Sequence, residues 1–190
     1  MQDLALTFDD GPDRTGTPQV LDALAAASAR ATFFVIAPRA CAHPALVARI
    51  AEEGHGIGLH CDEHVRHSKR DLDWGRADTD RALERLTRLG VSPKLWRTPW
   101  GDTAPWTEPL AAEYGLSLTG WTVDTHDWRG DAAPAMFAAT REGLRAGAIV
   151  LAHDGLGPGA RREDVRETVA YIELATRHAR ANNLKLIAMG

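Results

Sequence analysis

Cysteine is nearly absent from this sequence: Cys41 and Cys61 are the only two among 190 residues. Two thiols cannot build a disulfide framework, although one bridge or two free groups are both compatible with that count. No window approaches the roughly 20 apolar residues of a membrane span. The N-terminal stretch MQDLALTFDD carries neither the basic nor the apolar segment of an export signal. The expected location is therefore the cytoplasm, or outside the cell if such a signal has been removed. An excess of positive charge is missing too: 22 basic against 26 acidic side chains leave a net charge of −4, which argues against an electrostatic nucleic-acid footprint. Composition does not break anywhere along the chain, so residues 1–190 are expected to form a single domain. Long connecting loops are scarce and no binding module is appended, and a monomer is the expected state.

What is present is a regular alternation. Short apolar runs (LALTF, ATFFVI, GIGLH, KLWRTP, LSLTGWTVD, AIVLAHD, LKLIAMG) alternate with segments of helical period (TPQVLDALAAA, PALVARIAEEG, RADTDRALERLTRLG, PWTEPLAAEYG, PAMFAATREGLRAG, REDVRETVAYIELATRHAR). Continuous apolar strands separated by amphipathic helices imply a parallel sheet covered by helices, either doubly wound or closed toward a barrel. The polar residues favour an α/β fold of the second kind, a distorted barrel of about seven parallel strands. Asp9, Asp10, His60, His64, Arg97, Asp124, Asp127 and His153 all fall at or just beyond strand carboxyl ends, and in a barrel these ends share one rim. The stretch GLGPGARRED reads as a flexible loop by composition.

The run GLHCDEHVRHS places His60 and His64 four residues apart. On a helical turn that spacing puts two imidazoles on one face. With one carboxylate they make a three-ligand set that leaves positions open for water and substrate, as catalytic metals require. Asp10 is the expected carboxylate, and His67 is left outside the set. Adjacent carboxylates in LTFDDGP repel, but the pair is tolerable if a cation neutralises Asp10 and an arginine orients Asp9. Both can face one site only where the chain is already turning, which Gly11-Pro12 provides. The plainer readings are surface or capping histidines, and a turn with helix-capping acids.

In this order, TFDDGP, HCDEH, RTPWG, DTHDW and LAH resemble the five motifs of the NodB-like polysaccharide deacetylases, carbohydrate esterase family four. The resemblance implies a distorted (β/α) barrel that hydrolyses N-acetyl or O-acetyl groups on an acetylated sugar or oligosaccharide. It also implies a divalent metal, zinc first, with cobalt or nickel as alternatives. Carried over by residue, it makes Asp9 the base, Asp10, His60 and His64 the metal ligands, Arg97 the partner of Asp9, His153 the acid and Asp127 its tuning carboxylate. It assigns substrate contacts to Pro99, Trp100, Trp128, Leu151 and Asp124, with the Trp100 backbone N–H toward the oxyanion and Trp128 and Leu151 toward the acetyl methyl. Cys61 stands where the family usually has Ser or Thr, and Thr98 and Trp100 replace the commoner Pro and Tyr.

An amide of this kind yields to water only if a nucleophile is generated, an oxyanion is held and the departing amine is protonated. Among the tryptophans, Trp100 and Trp106 flank the polar GDTAP loop and are the expected exposed pair, while at least half of the six serve the core. Three other readings compete: a barrel amidohydrolase of a small non-sugar amide or of a cyclic ureide, the latter not expected to keep the histidine pair; a catalytically silent carbohydrate-binding protein; and phosphoryl transfer, for which no glycine-rich cradle exists.

Overall fold

In the computed structural model the described residues, 2–190, form eight strands and seven α-helices. In chain order these are β1 (Gln2–Asp9), α1 (Gly16–Ala26), β2 (Ala31–Ile36), α2 (Ala37–Ala42), α3 (Pro44–Glu52), β3 (Gly56–Cys61), α4 (Leu72–Arg88) and β4 (Leu95–Trp96). There follow α5 (Thr107–Glu113), β5 (Ser117–Leu118), β6 (Val123–Asp124), α6 (Ala133–Thr140), β7 (Ile149–His153), α7 (Arg166–Ala181) and β8 (Leu184–Leu186). Seven strands lie side by side in the order β5-β4-β3-β2-β1-β7-β6, and β8 joins the N-terminal half of β1. Every ladder is parallel. Among the described residues no ladder joins β5 to β6, so the barrel curls without closing.

The expected alternation is present, with two differences: the short helix α2 follows β2 directly, where no helix was expected, and one strand is split. The run LSLTGWTVD divides into β5 and β6, because Gly120 and its neighbours interrupt it and the chain leaves one edge of the sheet for the other.

Alternate residues of each strand face opposite sides. Leu4, Leu6 and Phe8 of β1, Phe33 and Val35 of β2, Leu59 of β3, and Val150 and Ala152 of β7 join the apolar layer under the helices. Their neighbours Thr7, Asp9, Phe34, His60 and Leu151 are also buried but stand outside that layer, on the concave side. Helix α4 shows how local sequence sets an element's start. The Asp71 carboxylate accepts the Trp74 N–H at 2.9 Å as its N-cap, and the buried face continues through Asp78, Thr79, Ala82 and Leu86. Gly75 is needed there because a Cβ would lie 2.4 Å from the Trp106 ring.

None of the helices is long and apolar enough to cross a membrane among the described residues. Both cysteines are free thiols, Cys41 exposed and Cys61 buried.

Because Leu21 is fully buried and Leu72 is 40% exposed, Leu21→Ala should cost about 2–5 kcal/mol and Leu72→Ala less than about 0.5 kcal/mol. Urea denaturation of the two variants checks this; equal costs would contradict the packing described.

Candidate active site

Strand β1 ends at Asp9, and Asp10 takes a left-handed conformation with φ 73°. A non-glycine residue adopts that region only at some cost. The reversal, continued by Gly11-Pro12, lets two successive carboxylates face the same concavity, as the sequence required.

Asp9 is held from below. Arg97 is 1% exposed, and its Nη1 donates to Asp9 Oδ1 at 2.9 Å and to Thr7 Oγ1 at 2.7 Å. Its other nitrogens donate to Thr119 O at 3.1 Å and Gly120 O at 2.8 Å, and the guanidinium lies 4.1 Å from the Phe34 ring centroid. A buried charge needs this degree of saturation. Thr7 was not among the expected site residues, although it lies two before Asp9 and so on the same face.

Asp10, His60 and His64 converge: one ligand atom from each lies within 4.8 Å of the others. Asp10 Oδ1 is 3.4 Å from His60 Nε2 and 3.1 Å from His64 Nε2, yet it is buried without a hydrogen-bond partner. His60 Nδ1 lies 2.6 Å from the Arg97 carbonyl; a proton donated there leaves Nε2 as a bare lone pair aimed toward Asp10. Lone pairs meeting a carboxylate oxygen in a buried position repel unless a cation lies among them, and one carboxylate with two imidazoles is a donor set for a catalytic divalent metal. The residues therefore fit a metal. Burial pushes the Asp10 carboxyl up, yet protons on the facing nitrogens of His60 and His64 would hold it well below the ordinary carboxylate range, the same pull that a cation between them exerts.

The expected helical spacing of the two histidines is not what unites them. His60 belongs to β3 and His64 to the loop after it, and the loop is drawn in by Asp78 of α4, whose carboxylate accepts the N–H groups of Asp62 at 3.1 Å and Glu63 at 2.8 Å. His67 stays apart, buried beside Thr107 and stacked on Trp106.

Opposite, Asp9 pairs in register with His153 of β7. Asp127 Oδ1 accepts from His153 Nδ1 at 2.7 Å, and Asp127 Oδ2 accepts the His153 backbone N–H at 3.0 Å. Burial alone would lower the imidazole's pKa, but the Asp127 carboxylate beside it and the charges of Asp9 and Asp10 push it up to about 9.

Asp9, Asp10, His60, His64 and His153 line one cavity of about 400 Å³, walled by Trp100, Trp121, Trp128, Leu151, Asp124 and residues of the loop from Gly155 to Arg162, while Arg97 and Asp127 stand behind the groups they hold. Pro99 is buried and does not line it; it sets the turn that presents Trp100, which is 40% exposed with φ 56°. Asp124 lines the cavity while its Oδ1 accepts the His126 N–H at 2.8 Å. Trp106, expected at the surface with Trp100, packs instead against the core and donates its indole N–H to Arg70 O. Trp121 takes its place on the cavity wall.

The stretch expected to be a flexible loop is pinned in place. Arg39 donates to Asp10 O at 2.7 Å and to Leu156 O at 3.0 Å. A Cβ on Gly157 would lie 1.9 Å from Asp10 Oδ2. The composition of GLGPG signalled loop, but nothing in it signalled that bare backbone must press against a carboxylate.

Comparison with known proteins agrees with this geometry. The family model for polysaccharide deacetylase matches residues 2–119. A peptidoglycan-N-acetylglucosamine deacetylase of Bacillus cereus is 37% identical, over 82% of this chain and 57% of its own length; the chain thus spans little more than half of that relative. A chitooligosaccharide deacetylase of Sinorhizobium fredii is 36% identical, over 80% of this chain and 72% of its own. Among solved structures, a family 4 carbohydrate esterase from Streptomyces lividans in complex with acetate superposes with a TM-score of 0.89 at 27% identity, covering 100% of this chain and 93% of that one. With a curled parallel sheet, five ordered motifs on its rim and these relatives, the chain belongs to the polysaccharide deacetylase family of NodB-like carbohydrate esterases.

Proposed function

We propose that the cavity is the catalytic centre of a divalent-metal hydrolase that removes N-acetyl groups from a glycan containing N-acetylglucosamine. One observation carries this reading: a three-ligand site beside a carboxylate held by arginine, facing a histidine held by a carboxylate, within one cavity. The named relatives act on peptidoglycan or chitooligosaccharides, which supports a carbohydrate substrate. The groups of the site run from Asp9 to Arg162 and share one cavity, which supports residues 1–190 acting as a single catalytic domain, and a monomer is proposed.

Asp10, His60 and His64 would hold the cation, for which zinc is assigned and cobalt or nickel are substitutes. When bound, such an ion supplies a Lewis acid that brings the pKa of water toward about 7. Asp9 accepts the proton of the attacking water, and Arg97 keeps its carboxylate oriented. His153, charged through Asp127, donates its proton to the departing nitrogen, without which the amine does not leave. The backbone N–H of Trp100 faces the developing oxyanion, and Trp128 and Leu151 receive the methyl group. Trp100 and Leu156, 40% and 38% exposed, offer apolar faces to a sugar ring. An intact histidine pair leaves the cyclic-ureide reading without support.

Acetate release from chitooligosaccharides, peptidoglycan fragments and acetylated xylan, with and without added zinc, tests the proposal. Metal-dependent release from an N-acetylated glycan is expected; none from any substrate by zinc-loaded protein would overturn it. Asp9→Asn should keep the metal and lose turnover by roughly 10²–10⁴-fold, whereas His60→Ala should lose the metal itself, as read by bound zinc after dialysis.

His153 is the proton donor and its pKa is raised, so its charged form is complete at neutral pH and lost as pH rises. The rate should therefore fall along a basic limb at or below about pH 9, since a bound cation adds positive charge nearby. A profile flat to pH 10 would remove the acid assignment. Gly157→Ala forces Asp10 to move and should weaken zinc binding by roughly 10–100-fold in a chelator competition. An unchanged affinity would show that the loop yields instead.

A further inference from the structure

Arg162 is a buried guanidinium that the chemistry above leaves unused. Its side chain is 6% exposed and comes from the segment between β7 and α7, beyond the stretch matched by the family model. Nη1 donates to Asp127 Oδ2 at 2.9 Å and to the Thr168 hydroxyl, which itself donates to Asp127 Oδ2 at 2.8 Å. Nη2 donates to His153 O at 2.8 Å and Gly155 O at 3.1 Å. One side chain thus grips the carboxylate behind the imidazole, the backbone of the histidine itself and the first turn of the cavity wall. An arrangement meant only to neutralise Asp127 would not need the two carbonyls.

We propose that Arg162 is a positioning residue for the proton donor: it locks the Asp127 carboxylate against His153 and, by sharing that carboxylate's charge, keeps the imidazolium ready to give up its proton. The inference rests on the hydrolase reading for its purpose, though not for its measurement. Two buried partners alone, a carboxylate and an imidazolium, bind their shared proton tightly and make a sluggish acid. A second cation on the far oxygen draws off negative charge and strengthens the acid. The groups charged near His153 are Asp127, Asp9 and Asp10, with Arg162 reaching it through Asp127. Arg97 is paired with Asp9, so Arg162 is the guanidinium that opposes the Asp127 carboxylate behind the imidazole.

The same carboxylate contacts explain the choice of residue. A planar guanidinium serves an oxygen, a hydroxyl and two carbonyls at once, whereas an ammonium supplies the charge without that geometry. Thr168, fully buried on the first turn of α7, completes the cradle and links the loop to the helix.

The test is histidine NMR titration of the zinc-loaded protein, which reads His153 whether or not a substrate is found. In Arg162→Gln the His153 midpoint should move upward by roughly one pH unit. Arg162→Lys should bring it back toward the parent value while leaving turnover reduced, because charge returns without the fork. Thr168→Val, which keeps the charge, should lower kcat with little change of midpoint and serves if Arg162→Gln does not fold. With an active substrate in hand, the basic limb of kcat should follow the same shift, with KM nearly constant. An unmoved midpoint in Arg162→Gln, or a full kcat in both Arg162→Lys and Thr168→Val, would overturn the proposal. Absence of any deacetylation with the midpoint shifted as expected would count against the hydrolase reading alone.

Discussion

Two carboxylates in succession on a buried rim cannot both stay ionised without two separate sources of positive charge, and the architecture around Asp9 and Asp10 follows from that constraint. Arg97 supplies the first, entirely from within the protein and at 2.9 Å. For Asp10 the chain supplies only imidazoles whose nitrogens lie 3.1 and 3.4 Å away and leaves Oδ1 unpartnered. The difference in treatment matches the two roles proposed for them: Asp9 is pinned, while Asp10 is left incomplete in a way that a cation would complete. Thr7, Asp78, Arg39 and the bare backbone of Gly157 are supports for that division.

The parallel sheet turns this local solution into a cavity. Asp9 and His153 sit in register on neighbouring strands, while His60 reaches the rim from the other side through β3 and β2. His153, Asp9 and the set Asp10, His60 and His64 therefore approach one volume from different directions. The histidine at the far side is given the opposite electrostatic setting from Asp10: its carboxylate neighbour is fully satisfied, by His153 itself, Arg162 and Thr168.

Much of this was legible in the residue order. Strand and helix alternation, the placement of polar residues at strand ends and the turn after LTFDD follow from periodicity and steric rules, and the motif resemblance named the groups that do converge. What escaped did so for identifiable reasons. The His60–His64 spacing suggested a helical turn, but a strand end and an adjoining loop achieve the same convergence, because Asp78, distant in sequence, holds the loop's N–H groups. Trp106 sits beside a polar loop, yet His67, Arg70 and Gly75 draw its ring inward. Arg162 lies in a stretch whose glycines and single proline announce only a loop, and its partners Asp127 and Thr168 lie 35 and 6 positions away in contacts that sequence spacing does not reveal. Local chemistry is written in the order of residues; which distant side chain closes a hydrogen bond is not.

The most direct measurement is an anomalous-scattering map from crystals of the protein loaded with zinc, recorded on both sides of the zinc edge. A single strong peak at about 2.0–2.2 Å from one oxygen of Asp10 and one ring nitrogen each of His60 and His64, with Asp9 outside bonding distance, is the expected result. A peak bonded to both aspartates, or none among these three side chains in a protein that retains zinc, would contradict it.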